Sequence, residues 1–333
     1  MRLILILTCT LLLFAFWSCD STEDAEDDFT NFELIQPVLE TSTSAGAGKP
    51  ISAQTLFDNM NDGNASNDYF VLSVRSAETY ALGHIPGAIN IYWRDVGNPT
   101  NLALLPTDQP ILVYCYTGHT GQAVATVLVN LGYDAVNLKY GFMSWSKDET
   151  ARVQSPFVDD VDGHDYATET TATAGGDFAL AEPDWISSQD ADEIIGTAAD
   201  YCLTNRGPVI KAADLFANLN DGDTTNDPQV VSVRSADTYA IGHIPGAINI
   251  YWKDIAIIDN LKMIDPSKQV AVYCYTGHTG QIAATVLSIL GYDAVNMKHG
   301  MMAWSRDVDV RVQSCFTEDV DSHDFAITTG TNP

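Results

Sequence analysis

The chain repeats itself at one fixed offset, which holds without insertion from Ala53/Ala212 to His164/His323. Residues 71–96 and 230–255 are identical at 21 of 26 positions, and residues 111–148 and 270–307 at 27 of 38. Solenoid units are far shorter, roughly 20–50 residues, so this period duplicates a whole domain. The length agrees: at about 150 residues per domain, 333 residues make about two.

Each copy alternates short apolar strands with helices. In the first, 52–60 reads as a helix with Ser52 as N-cap, 70–74 as a strand and 77–82 as a short helix. The 83–87 segment is a turn, followed by a strand at 88–92. Residues 111–114 form a buried strand ending at Cys115, and 121–131 a helix closed by Gly132. A strand at 135–138 and a helical turn at 143–147 complete the copy. This alternation predicts an α/β fold in which each copy has a central, mainly parallel sheet flanked by helices. The boundaries expected are 1–18 signal peptide, 19–49 acidic tether, 50–150 first domain, 151–208 acidic linker with extension, and 209–325 second domain with C-terminal extension. The linker is expected to hold one helix near Ala191.

The N-terminus reads as an export signal. Arg2 precedes an unbroken run, Leu3 to Trp17, that holds only Thr, Cys and apolar side chains. It falls short of the ~20 residues of a membrane span. The sequence Ser18-Cys19-Asp20 at its end resembles a bacterial lipoprotein signal, which implies a lipidated Cys19 and a lipid-anchored protein in the cell envelope. Bulky Phe16 and Trp17 depart from that pattern; ordinary cleavage and an uncleaved anchor are the other readings. Residues 20–28 carry six acids among nine positions, a self-repelling block. The whole chain has a formal charge of −28, from 16 basic and 44 acidic residues. Nucleic acid is therefore not an expected partner, since phosphate contacts need clustered Lys and Arg.

The chemistry is expected at Cys115-Tyr-Thr-Gly-His-Thr120 and its copy Cys274-Tyr-Thr-Gly-His-Thr279. Each Cys directly follows a buried strand and shortly precedes a helix, the end of a parallel sheet where ligands bind. Gly118 and Gly277 let the loop curl. The amides of Tyr116, Thr117, Gly118, His119 and Thr120, and of Tyr275, Thr276, Gly277, His278 and Thr279, would then converge with a helix N-terminus on one anion site. A thiol there ionises more readily than the ~3% expected at pH 7 for a pKa of ~8.5. The same cradle suits a sulfur atom carried on Cys. The alternative is a pair of inert core thiols.

Together, the Val71-Leu-Ser-Val-Arg strand, Tyr80, Gly83-His-Ile-Pro-Gly-Ala, the Cys loop, Gly141 and Trp145 resemble the rhodanese domain family, over about 50–148 and 209–307. The resemblance implies transfer of sulfane sulfur through a cysteine persulfide on Cys115 and Cys274. The donor would be a small sulfur-containing anion (thiosulfate, mercaptopyruvate or polysulfide), the acceptor a thiol or cyanide, and no cofactor or metal would be needed. A six-residue loop ending in Thr is similar to the sulfurtransferases; related phosphatases and arsenate reductases use a longer loop ending in Arg. There are departures. Ser73 and Ser232 stand where the strand motif usually has Asp, and Tyr116 and Tyr275 where thiosulfate-specific enzymes usually have a basic residue. His119 and His278 are left as the only cationic candidates of the loop, either pH-sensitive aids to thiolate formation or exposed residues without a role. Arg75 and Arg234 are expected to pair with nearby acids at the loop base. The two sites read either as both active or as meeting in one shared cleft. The other reading of the whole chain is a non-catalytic anion-binding or redox-sensing module.

Several further residues carry expectations. His84 and His243 should fix their turns through backbone hydrogen bonds, and Trp93 and Trp145 should be core. Cys202 and Cys315 have no counterparts in the first copy, and in an exported protein a disulfide between them is expected. The Asn/Asp-rich loops at 61–68 and 220–227 read as polar turns, with calcium binding as the alternative. Asp162, His164 and Asp165 read as a solvated acidic tail, with a metal site as the alternative.

Overall fold

The computed structural model describes residues 29–331. Cys19 and the signal segment lie outside them. Within the expected tether, residues 31–45 instead form helix α1 (Asn31–Ala45). Thr30 and Glu33 make a reciprocal capping box at its start, Gly46 ends it at φ 76°, and Phe32, Ile35 and Leu39 are buried. Displaced by the repeat, its counterpart in the expected linker is α3 (Ala191–Asn205), capped by Asp190. The duplication therefore extends further toward the N-terminus than the matching sequence does.

The first half builds a parallel sheet from β1 (Phe70–Ser73), β2 (Ile89–Asn90), β3 (Ile111–Tyr114) and β4 (Ala135–Asn137), in the order β2-β1-β3-β4. The second half uses β5 (Val209–Ile210), β6 (Gln229–Ser232), β7 (Ile248–Asn249), β8 (Val270–Tyr273) and β9 (Ala294–Met297), in the order β5-β9-β8-β6-β7. A single Ile51–Leu138 bridge stands in the first half where β5 pairs β9. The central strands β3 and β8 are buried at all four positions, as a sheet covered on both faces requires. Ser52 caps its helix as expected, accepting from the Thr55 amide at 3.1 Å.

From β3 and β8 the chain passes through the Cys loops into α2 (His119–Asn130) and α4 (His278–Ile289). Both helices are buried nearly all round and pack on each other. One continuous core spans the two halves here: Val113, Cys115, Val124 and Val127 share it with Val272, Cys274, Ile282 and Val286.

The two halves are reciprocally entwined. Helix α1 docks beside Trp252–Asp254 of the second half, with Gln36 Nε2 donating to Ala256 O at 2.7 Å. Helix α3 docks beside Trp93–Asp95 of the first, where Arg94 donates to Leu203 O at 3.0 Å. The segments after each domain cross as well. Tyr166 stacks on Phe216, and Trp304 Nε1 donates to Ala167 O. Phe325 stacks on Phe57, and Trp145 Nε1 donates to Ala326 O. Two ion pairs of 2.6 Å, Arg152–Glu318 and Arg311–Asp159, repeat the exchange at the same offset.

The crossing explains why the expected disulfide is not formed. Cys202 belongs to α3 and the core shared by both halves, whereas Cys315 packs at the edge of a separate cluster with Phe157 and Phe316. Both are free thiols. The loops at 61–68 and 220–227 are closed by their own side chains: Asp62 accepts from the Asn64 amide and Asn67 Nδ2, and Asp221 from the Asp223 amide and Asn226 Nδ2. Among the described residues, no group of three or more His, Cys, Asp or Glu is arranged to hold a metal ion.

Candidate active site

The loop after β3 is held from outside by its carbonyls. Cys115 O accepts from the Phe142 amide at 2.8 Å and Tyr116 O from the Met143 amide at 3.1 Å. Gly118 O accepts from the Gln122 amide at 3.1 Å and from Asn137 Nδ2 at 2.9 Å. In the second half Met301, Met302, Gln281 and Asn296 make the same four contacts with Cys274, Tyr275 and Gly277. With the carbonyls turned out, the amides turn in. Gly118 N–H donates to Cys115 Sγ and Gly277 N–H to Cys274 Sγ, each at 3.1 Å. The amides of Tyr116, Thr117, His119 and Thr120 have no hydrogen-bond partner among the described residues, and the same holds for Tyr275, Thr276, His278 and Thr279. Helices α2 and α4 begin without a side-chain cap, so their positive ends also face the loop.

The curl needs two glycines. Gly118 sits at φ 88°, and a Cβ there would come within 2.7 Å of His278 Nε2 and 3.0 Å of the Tyr140 amide. Gly141 sits at φ 57°, with Gly118 N, Cys115 O and Thr117 N all within 2.9 Å of where its Cβ would be. Tyr140 precedes Gly141, and His299 its counterpart Gly300, at φ 64° and 67°. That conformation is costly for non-glycine residues and is held by the surrounding contacts. Asn137 and Asn296 are buried loop-fixing residues that the sequence reading missed; their place at the end of a strand gave no signal of a partner two elements away.

His119 and His278 overturn the expectation made for them. Each is 2% exposed, and each reaches into the other half. His278 Nε2 accepts the Tyr140 amide at 3.0 Å, and His119 Nε2 accepts the His299 amide at 3.1 Å. An amide only donates, so both rings carry their proton on Nδ1, which faces Thr117 Oγ1 or Thr276 Oγ1 at 3.1 Å. Burial, with the nearby Lys139 charge, pushes the His278 pKa down to about 3. Burial, then His299, His278 and Lys298, hold His119 well below its ordinary value. The rings are neutral clasps between the halves, and no cation of the loop remains.

Arg75 and Arg234 are fully buried but do not pair with acids. Their guanidiniums donate to backbone carbonyls: Ala151 O at 3.0 Å and Gly83 O for Arg75, Val310 O at 3.0 Å and Gly242 O for Arg234. Arg75 lies over the Phe142 ring at 4.0 Å. Tyr116 and Tyr275 turn their hydroxyls to Thr79 and Thr238 at 3.1 and 2.8 Å. His84 and His243 act as expected, with Nδ1 on Tyr80 O and Tyr239 O at 2.9 and 2.8 Å. Trp93 and Trp145 are core residues.

Cys274 is 1% exposed, yet it lines a cavity of about 450 Å³ together with Tyr275, Thr276 and Trp252. A thiol at the carboxyl end of a central parallel strand, ringed by inward amides, defines an α/β domain built around a cysteine anion site, present twice. The rhodanese-like domain family matches residues 52–148 and 211–307, and the chain belongs to that family. It is 35% identical over 86 residues to the thiosulfate sulfurtransferase GlpE of Pseudomonas fluorescens (strain SBW25), covering 26% of this chain and 77% of that protein. Over 269 residues it is 25% identical to the thiosulfate sulfurtransferase of Azotobacter vinelandii, covering 74% of this chain and 91% of that one. Among solved structures, a rhodanese-like domain protein from Staphylococcus aureus is 29% identical, with a TM-score of 0.28, 30% of this chain and 94% of that chain covered.

Proposed function

We propose that the protein is a rhodanese-type sulfurtransferase that carries sulfane sulfur as a persulfide on Cys115 and Cys274. The thiolate attacks the outer sulfur of the donor. With thiosulfate or polysulfide the donor's S–S bond breaks, and its electron pair leaves with sulfite or the shortened polysulfide. With mercaptopyruvate the C–S bond breaks and pyruvate leaves after taking up a proton. The acceptor, a thiol or cyanide, then attacks the outer persulfide sulfur and the Cys thiolate is released. The anion that waits between the two steps is the terminal sulfur, and the free loop amides and helix end are what stabilise it.

The observation that carries this reading is the outward tethering of the loop carbonyls, which leaves four amides per loop free around the thiol. The test measures transfer from thiosulfate, mercaptopyruvate and polysulfide to cyanide and to a thiol, with Cys115→Ser, Cys274→Ser and the double variant. Intact mass after donor exposure should show one added sulfur per remaining Cys. Unchanged turnover in the double variant would overturn the reading.

The proposal includes export and a lipid anchor at Cys19, supported by the Arg2 start, the apolar run and the Ser18-Cys19 junction. Radiolabelled lipid incorporation that is lost in Cys19→Ser tests it.

A further inference from the structure

The cavity at Cys274 has an uneven charge. Its lining from the second half is neutral: Ser235, Tyr251, Trp252, Tyr275, Thr276 and Gln313, with His278 held as a neutral ring. Its two cations, Lys49 and Lys139, come from the first half. Among the described residues no carboxylate lines it, in a chain with 44 acids and only 16 basic residues. Such a pocket favours a small anion, and the favouring groups are not on the half that carries the thiol.

The backbone explains how Lys139 gets there. It follows β4, its amide donates to Ile51 O at 2.8 Å, and the next amide, Tyr140, is the one clasped by His278 at 3.0 Å. The clasp thus draws residue 139 to the mouth of the opposite loop. Lys298 stands at the same place in the second half. Its amide donates to Ile210 O at 2.8 Å, and the following His299 amide is clasped by His119 at 3.1 Å. Burial lowers the Lys298 pKa, while negative charge on Cys115, in the other half, raises it; Asp162 also raises it and Lys211 opposes.

We propose that the two sites exchange their cations: Lys139, helped by Lys49, binds the anionic sulfur donor for Cys274, and Lys298 does so for Cys115. This rests on the sulfurtransferase reading above and adds to it the source of the donor's counter-charge. It accounts for the Tyr after each Cys, since a basic residue at that position is replaced by one from across the junction. Lys139 and Lys298 are donor-binding residues, so their removal should act on KM more than on kcat.

The test isolates each site in the full chain. Cys115→Ser leaves only Cys274, and Cys274→Ser only Cys115. In the first background Lys139→Gln should raise the KM for thiosulfate by about tenfold or more, the loss expected for one charge-assisted contact. Lys298→Gln should not raise it there. In the second background the pattern should reverse. In the first, Lys139→Arg should restore most of the Cys274 affinity. A lysine change that moves the KM of its own half's Cys, or of neither, overturns the proposal. If a Gln variant fails to melt like its parent, Lys139→Met, which keeps the apolar stem, is used in its place. If no form transfers sulfur, the functional reading fails, and sulfite titration of the Cys115→Ser/Cys274→Ser chain by isothermal calorimetry still decides. A Kd about tenfold weaker on adding Lys139→Gln supports the exchange; an equal Kd overturns it.

Discussion

The imidazoles of His119 and His278 stack across the junction of the two halves, with centroids 5.6 Å apart and planes 20° from parallel. Each comes from a Cys loop, and each accepts an amide that lies directly behind the other loop. The two sites are therefore mechanically joined.

Removing one clasp leaves a buried donor without an acceptor. His278→Ala orphans the Tyr140 amide, and the cost should be about 1–3 kcal/mol. A thermal melt should fall by roughly 2–5 °C for a chain of this size.

The same clasps make stability depend on pH. Both His pKa values are lower in the folded chain than the unfolded value near 6.5. The neutral form stabilises the fold, so this contribution is whole above about pH 6.5 and is lost as pH falls toward the folded value, about 3 for His278. Each group adds up to about 1.4 kcal/mol per pH unit inside that window. Chemical denaturation between pH 7 and pH 4 should give a shallower slope for His278→Gln than for the parent. An unchanged slope would mean that the ring is protonated or exposed.

Gly118→Ala meets two obstacles. Its left-handed backbone costs an L-residue about 1–2 kcal/mol. The new methyl also lies 2.7 Å from His278 Nε2. The variant should lose stability and, because the clash faces the second half, also slow sulfur transfer at Cys274. Transfer in the Cys115→Ser background, with and without the change, measures this.

The exchanged tails should hold the halves together. Phe325 stacks on Phe57 at 4.1 Å and meets Trp145 edge-on at 4.9 Å. Phe325→Ala, at a half-buried position, should cost about 2 kcal/mol. Limited proteolysis should then open the first half, around residues 53–60, before the second.

Cys202 and Cys315 should be found unpaired in a non-reducing peptide map. Burial pushes the Cys202 thiol up to about 12 and also raises that of Cys315, which is less deeply placed. Alkylation of the native protein should therefore reach Cys315 well before Cys202.

Much of this was legible in the sequence because it is local. The turn glycines, the Ser52 cap, the buried strand Ile111–Tyr114 and the Cys loop are dictated by backbone preferences within a few residues. Helix α1 looks like part of a tether in the sequence because an acidic block precedes it, while its buried stripe of Phe32, Ile35 and Leu39 needs the other half to cover it. The acid partners expected for Arg75 and Arg234 failed for a related reason: carbonyls brought in by distant turns leave no trace in residue type.

The amino-acid order alone determined that there are two copies, that each is a parallel α/β unit, and that each sets a thiol before a helix. It left open which copy each segment completes. Two near-identical surfaces offer the same docking site, so Phe325 meets equivalent aromatic partners on either half, and a repeat cannot choose between them. Long-range packing made that choice, crossing the helices and tails, burying both loop histidines as neutral rings, and bringing the lysines of one half to the thiol of the other.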